Sequence, residues 1–104
     1  MNTDPLEKDI ESKIVLFAKG LGAIVYKFTS PSKRSVPDRV FVLPGGRVFW
    51  MELKRRGHKP TPAQAVEIEK LRKQGATVYV VDNVELGKEI VKNEFGAKDP
   101  LADY

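Results

Sequence analysis

Asp38, Glu52 and Lys54 carry the residue types that metal-assisted hydrolysis needs. Asp38 follows Pro37 at the mouth of the apolar run Arg39–Leu43, and Glu52 and Lys54 stand near the end of the next run, Val48–Leu53. Alternate residues on a strand share a face, so Glu52 and Lys54 point one way and Leu53 the other. Two carboxylates and the Leu53 backbone carbonyl make an oxygen set for a hard cation such as Mg²⁺. Such an ion acidifies a bound water and offsets charge on phosphate oxygens. Lys54 can orient that water and stabilise the charge of the transition state. Bare carboxylates repel a phosphate, so the arrangement suits a polyanion only with the metal present. The plain alternative for Glu52 and Lys54 is a surface ion pair at an exposed strand end. Asp38, with a hairpin between, favours the metal site.

That hairpin is read from Pro44-Gly45-Gly46 between the two runs. It makes a geometric demand. A two-residue Gly45-Gly46 turn would set residue 38 opposite residue 53, and Asp38 would face away from Glu52. The site requires an odd-length loop, a bulge, or a bend at Pro37.

The remaining pattern supplies the frame. Leu6, Ile10, Ile14, Phe17, Ala18 and Leu21 recur at helical spacing, with Asp4 expected as N-cap, Pro5 at the first helical position, and Gly20 and Gly22 as the stop. Ala23–Phe28 reads as a strand and Thr29–Val36 as a loop. Thr61 and Pro62 open a second helix to about Gln74, and Gly75 closes it. Thr77–Val81 is a short strand, and Asp82 or Asn83 caps a last helix over Val84–Asn93. The order α-β-β-β-α-β-α predicts an α/β fold, a mixed four-stranded sheet with helices on both faces. Val48–Leu53 is expected to be central and buried on both sides. Residues 1–95 are expected to form a single domain and residues 96–104 a C-terminal tail.

Several further residues are candidates. Glu7 lies on the helical face of Ile10, Glu11 and Ile14 and could reach the sheet edge; a capping box from Asp4 is the alternative. Gln64 has the same ambiguity in Thr61-Pro62-Ala63-Gln64. Basic residues gather around the acidic pair: Lys33, Arg34 and Arg39 near Asp38, and Arg55, Arg56, His58 and Lys59 after Lys54. With Lys27 and Ser30 at the end of the first strand, all of these except Arg39 are candidate DNA-binding residues. Trp50 shares the Glu52 face, and core packing is its expected role. The 104 residues carry a net charge of +4, which permits a polyanionic partner. With no cysteine, disulfides and thiol catalysis are excluded. Phosphate-binding glycine loops and Ser/His/Asp groupings are missing, which excludes a P-loop nucleotide cofactor and serine-hydrolase chemistry. No secretory signal or membrane span is visible, so a cytoplasmic setting is expected.

Taken in order, Glu7-Lys8-Asp9-Ile10, Val36-Pro37-Asp38, Gly45-Gly46-Arg47, Glu52-Leu53-Lys54, Thr61-x-x-Gln64 and Leu71-x-x-x-Gly75-Ala76 resemble the VRR-NUC family. This is the virus-type replication-repair branch of the PD-(D/E)XK nucleases. The resemblance spans about residues 6 to 85. It implies a restriction-endonuclease-like core and DNA phosphodiester hydrolysis dependent on Mg²⁺ or Mn²⁺. It assigns metal binding to Glu7, Asp38 and Glu52, catalysis to Lys54, and a place beside the site to Gln64. Glu11 rivals Glu7, because in related archaeal-type junction resolvases the helical Glu stands nearer the helix-ending glycine. One departure is Ser35, where the family pattern is Gly-x-Pro-Asp. Compact members resemble homodimeric nucleases acting on branched DNA such as four-way (Holliday) junctions in DNA repair. A non-catalytic DNA-binding module on this fold, a sequence-specific restriction-type module and a small interaction protein are the alternatives.

Overall fold

A computed structural model describes residues 6–30 and 35–96. The elements are α1 (Glu7–Leu21), β1 (Ile24–Lys27), β2 (Arg39–Val42), β3 (Val48–Leu53), α2 (Pro62–Lys73), β4 (Val78–Val81) and α3 (Val84–Gly96). The sheet order is β1-β2-β3-β4. The first two pairings are antiparallel, and β4 runs parallel to β3 after the α2 crossover. The expected tail lies outside the described residues beyond Gly96, and α3 runs past the expected end at Asn93.

The hairpin meets its geometric demand. Arg39 pairs with Met51, Phe41 with Phe49 and Val42 with Val48. The Leu43 amide donates to the Arg47 carbonyl at 2.8 Å, closing a three-residue loop over Pro44, Gly45 and Gly46. Gly45 and Gly46 take φ of 92° and 88°, a conformation that β-carbons disfavour. Continued by one step, this register sets Asp38 opposite Glu52. One step further it sets Pro37 opposite Leu53.

One face of the sheet carries the core. Phe41, Leu43, Phe49, Met51, Leu53 and Val81 pack under Ile10, Ile14 and Ala18 of α1 and Val91 of α3. The Phe41 and Phe49 rings stack at 4.7 Å. A β-carbon on Gly87 would stand 2.1 Å from Ile14 Cδ1, so only glycine lets α3 lie this close to α1. Arg47 and Tyr79 both bond Glu94, tying the hairpin and β4 to the end of α3.

The other face is thinly covered. Among the strands, α2 packs only against β4, with Ile68 and Val78 buried. Val48 is 44% exposed and Trp50 half-buried, so β3 is not buried on both sides as its apolar run suggested. Hydrophobicity reports what a strand could bury, and a single crossover helix covers only one edge of that face. Trp50 accordingly lies outside the main core, against Phe28 rather than within the packed layer.

The start of α1 also differs from expectation. Asp4 and Pro5 lie outside the described residues, but the N-cap is Leu6, with no side-chain cap, and Glu7 is the first helical residue. Glu7 is therefore not the third-position partner of a capping box, and its carboxylate is not spent on one. Gly22, with φ of 112°, ends the helix, and Gly20 lies within it.

Candidate active site

The helices and strands converge at one end of the sheet. There β1 and β3 finish and β2 begins, and Glu7 in the first turn of α1 lies within electrostatic reach of Asp38 and Lys54. The Phe28 amide donates to the Asp38 carbonyl at 2.8 Å, which carries the β1–β2 ladder through Asp38. Asp38 and Glu52 face each other across β2 and β3. Glu52 is 4% exposed, and no other charged residue among the described ones is buried.

The two carboxyls are under electrostatic stress. Burial pushes the Glu52 carboxyl up to about 7; the Asp38 charge adds to this, and Lys54 opposes it. Asp38 is also raised, first by burial and then by Glu11. Glu7, exposed at the start of α1, is raised by partial desolvation and by Asp38, while Lys54 draws it down. Glu7, Asp38, Glu52 and Lys54 therefore share one field. As carboxylates, Asp38 Oδ1 and Glu52 Oε2 are buried without a hydrogen-bond donor, and the two carboxyls lie close enough to share a proton when one is protonated. Such oxygens cost free energy unless a cation or donor meets them.

These orphaned oxygens fit a divalent cation. Pro37 is fully buried and has no amide hydrogen to offer the Leu53 carbonyl opposite it. Among the described residues no three His, Cys, Asp or Glu side chains are grouped to enclose a metal by themselves. The set is thus two facing carboxyls, with Glu7 adjoining in charge.

Glu11 has another partner. Arg39 bonds its carboxylate through Nε at 2.7 Å and through Nη2. Glu11 is thus engaged by the cation flanking Asp38, while its own charge still acts on Asp38.

The basic loop after β3 divides. His58 acts on Glu7, together with Lys54. Arg56 turns toward Asp82 and lines a cleft with Lys13 and Lys88. Asp82 accepts from the Gly57 amide at 3.0 Å and from Asn83, bonds that hold its carboxyl below the ordinary range. Asn83 caps α3 by accepting from the Leu86 amide at 2.8 Å. The anchoring role of Asp82 was not foreseen, although Asp-Asn before an apolar helix signals a cap. Lys27 and Lys59 are exposed, Ser30 and Arg55 half-buried, and Lys33 and Arg34 lie outside the described residues. Ser35 needs no glycine, since no non-glycine residue among those described has a positive φ.

Gln64 is in a full capping box. Its Oε1 accepts from the Thr61 amide at 2.9 Å, and its own amide donates to Thr61 Oγ1 at 3.2 Å. The side-chain NH₂ is left to donate elsewhere. Gln64→Glu keeps the capping oxygen and removes that donor. Its unfolding free energy is expected to stay within about 0.5 kcal/mol of wild type, while its cleavage rate falls. Unchanged cleavage would make Gln64 a cap alone.

No family model matches the chain. A phage protein is 42% identical over 80 residues, which span 77% of this chain and 86% of the relative. It is named "Putative nuclease p44", of Acyrthosiphon pisum secondary endosymbiont phage 1. A solved structure titled "VRR_NUC domain" superposes with a TM-score of 0.77 at 29% identity, covering 83% of this chain and 94% of that one. The chain belongs to the VRR_NUC family. Its mixed sheet and element order are the restriction-endonuclease-like fold of VRR_NUC nucleases. The VRR_NUC fold explains why the half-buried Asp38 faces the buried Glu52: strand register, rather than a flexible loop, sets their separation. No helix among the described residues is long and apolar enough to cross a membrane.

Proposed function

We propose that this VRR_NUC nuclease is a Mg²⁺- or Mn²⁺-dependent DNA endonuclease that cuts branched DNA, such as four-way junctions, as a homodimer. The facing Asp38 and Glu52 carboxyls, each with an unpartnered buried oxygen, carry the reading. Asp38, Glu52 and the Leu53 carbonyl would hold the ion, with Glu7 from α1. When bound, the ion supplies an acidified water and neutralises phosphate charge. Lys54, on the face of Glu52, is the cation that meets the charge developing on the phosphate. Gln64 donates through its free NH₂. Arg55, His58, Lys59, Lys27 and Ser30 surround this end of the sheet and suit backbone phosphates, which fix orientation without reading sequence. Lys33, Arg34 and Arg56 belong to the same proposed set, Arg56 at its margin. A two-fold dimer would offer two such sites to two strands, as a junction requires.

The test incubates purified protein with labelled four-way junction, flap and linear duplex in Mg²⁺, Mn²⁺ or EDTA. Cleavage with either metal, none in EDTA, and preference for the junction are expected. If no substrate is cut although DNA binds, and Lys54→Ala binds equally well, the fold serves as a binding module. Cutting of linear duplex at defined sequences would instead assign a restriction-type role.

A further inference from the structure

The open sheet face has an aromatic end, and it is the end that holds the carboxyls. Strand register puts Phe28 beside Asp38, which faces Glu52. The next row across the sheet is Tyr26, Val40, Trp50 and Val78. That row lies two residues, about 6.8 Å along the strand, from the carboxyls. Tyr26 is 59% exposed and Phe28 38%, and the Phe28 and Trp50 rings meet edge-to-face at 5.1 Å. The row beyond is aliphatic: Ile24, Val42 and Val48. Aromatic side chains are thus concentrated where a substrate strand must pass.

We propose that Tyr26, Phe28 and Trp50 form a stacking platform for an unpaired base next to the bond that is cut. The inference rests on the nuclease reading and narrows its substrate. Bases within a duplex have both faces occupied by their neighbours, so only a splayed or single-stranded nucleotide can stack on protein rings. The platform therefore selects DNA opened at the branch point over continuous duplex. A second copy of the chain is the other occupant an apolar face could take. Seated on Tyr26 and Trp50, it would cover the approach to Asp38 and Glu52, whereas a nucleic acid strand has to reach both. Lys54, on the same face, supplies the charge that a flanking phosphate requires.

Trp50 is the only tryptophan in the chain, so its emission reports on the platform directly. The experiment titrates wild-type protein in EDTA with labelled oligothymidylate and, separately, with blunt duplex, following Trp50 emission and label anisotropy together. Oligothymidylate is expected to quench Trp50 and duplex to leave it unchanged. Tyr26→Leu, which keeps an apolar side chain but loses the ring, is expected to weaken oligothymidylate binding roughly ten-fold. Duplex binding stays unchanged, and Tyr26→Phe restores the wild-type affinity. Absence of oligothymidylate binding, binding without quenching, or equal weakening of both ligands would overturn the proposal. So would wild-type protein whose quenching follows its own self-association in sedimentation, for then the face belongs to a second copy. Cleavage of branched DNA by wild-type protein in Mg²⁺ is scored separately. Stacking can thus fail while hydrolysis stands, and hydrolysis can fail while stacking stands.

Discussion

Lys54→Ala protein is expected to bind branched DNA and metal as wild type does and to cut about 10²–10³-fold more slowly. The ammonium shares the field of Glu52, Asp38 and Glu7, and lowers the carboxyl pKa of Glu52 and Glu7. Its removal takes away the one cation of that group that projects from the same strand face as Glu52. The remaining charge on the phosphate oxygens is then met less well in the transition state than in the bound substrate. Glu52→Gln should be at least as slow for a different reason, because it removes half of the facing pair. Titration calorimetry with Mn²⁺ separates the two. Lys54→Ala retains the binding heat and Glu52→Gln loses it. Equal cleavage by wild type and Lys54→Ala would remove Lys54 from the mechanism.

Metal-free protein is expected to lose stability as pH rises from about 4.5 to about 7, the ordinary and native values for the Glu52 carboxyl. Below this window the carboxyl is protonated whether the chain is folded or not. Within it the unfolded chain releases the proton while the folded one retains it, so unfolding gains with each step in pH. The loss should amount to about 2–3 kcal/mol, part of the full shift being given up to solvent. Glu52→Gln removes one titrating group, so it should make the profile shallower, leaving what Asp38 and Glu7 contribute, and melt higher than wild type at pH 8 without metal. Adding Mn²⁺ to wild type at pH 8, at a hundred times its Kd, should restore about 2.7 kcal/mol. Thermal melts across pH, with EDTA and with Mn²⁺, check the sign. A wild-type profile that rises through this window would contradict a buried Glu52 facing Asp38. With both expected outcomes, the proposed metal would relieve electrostatic stress that the carboxyls carry without it, and stability would be exchanged for affinity.

The candidate residues could be named before any fold. Asp38, Glu52 and Lys54 are chemically unusual together, and the family resemblance is what proposes Glu7 and Gln64 as their companions; among the described residues, the structure itself gives Gln64 only its capping bonds to Thr61. Helix and strand order was legible for a local reason. Gly22 and Gly75 require positive φ, Thr61-Pro62 caps a helix, and β-branched runs favour strands. The hairpin supplied the sharpest link between levels. Whether Asp38 meets Glu52 depends on one residue of loop length, and the Leu43–Arg47 closure decides it.

Partnership and exposure were decided only by tertiary structure, because both depend on residues far apart in the chain. Glu11 and Glu7 are equivalent acids on one helix until Arg39, 28 residues from Glu11, comes to bind one of them. Trp50 and Val48 sit in an apolar run that says "buried", yet α2 covers β4 alone and leaves them half open. Composition determines what a segment is able to bury. The number of helices available to cover each sheet face determines what it does bury, and here that left an aromatic surface beside the two carboxyls.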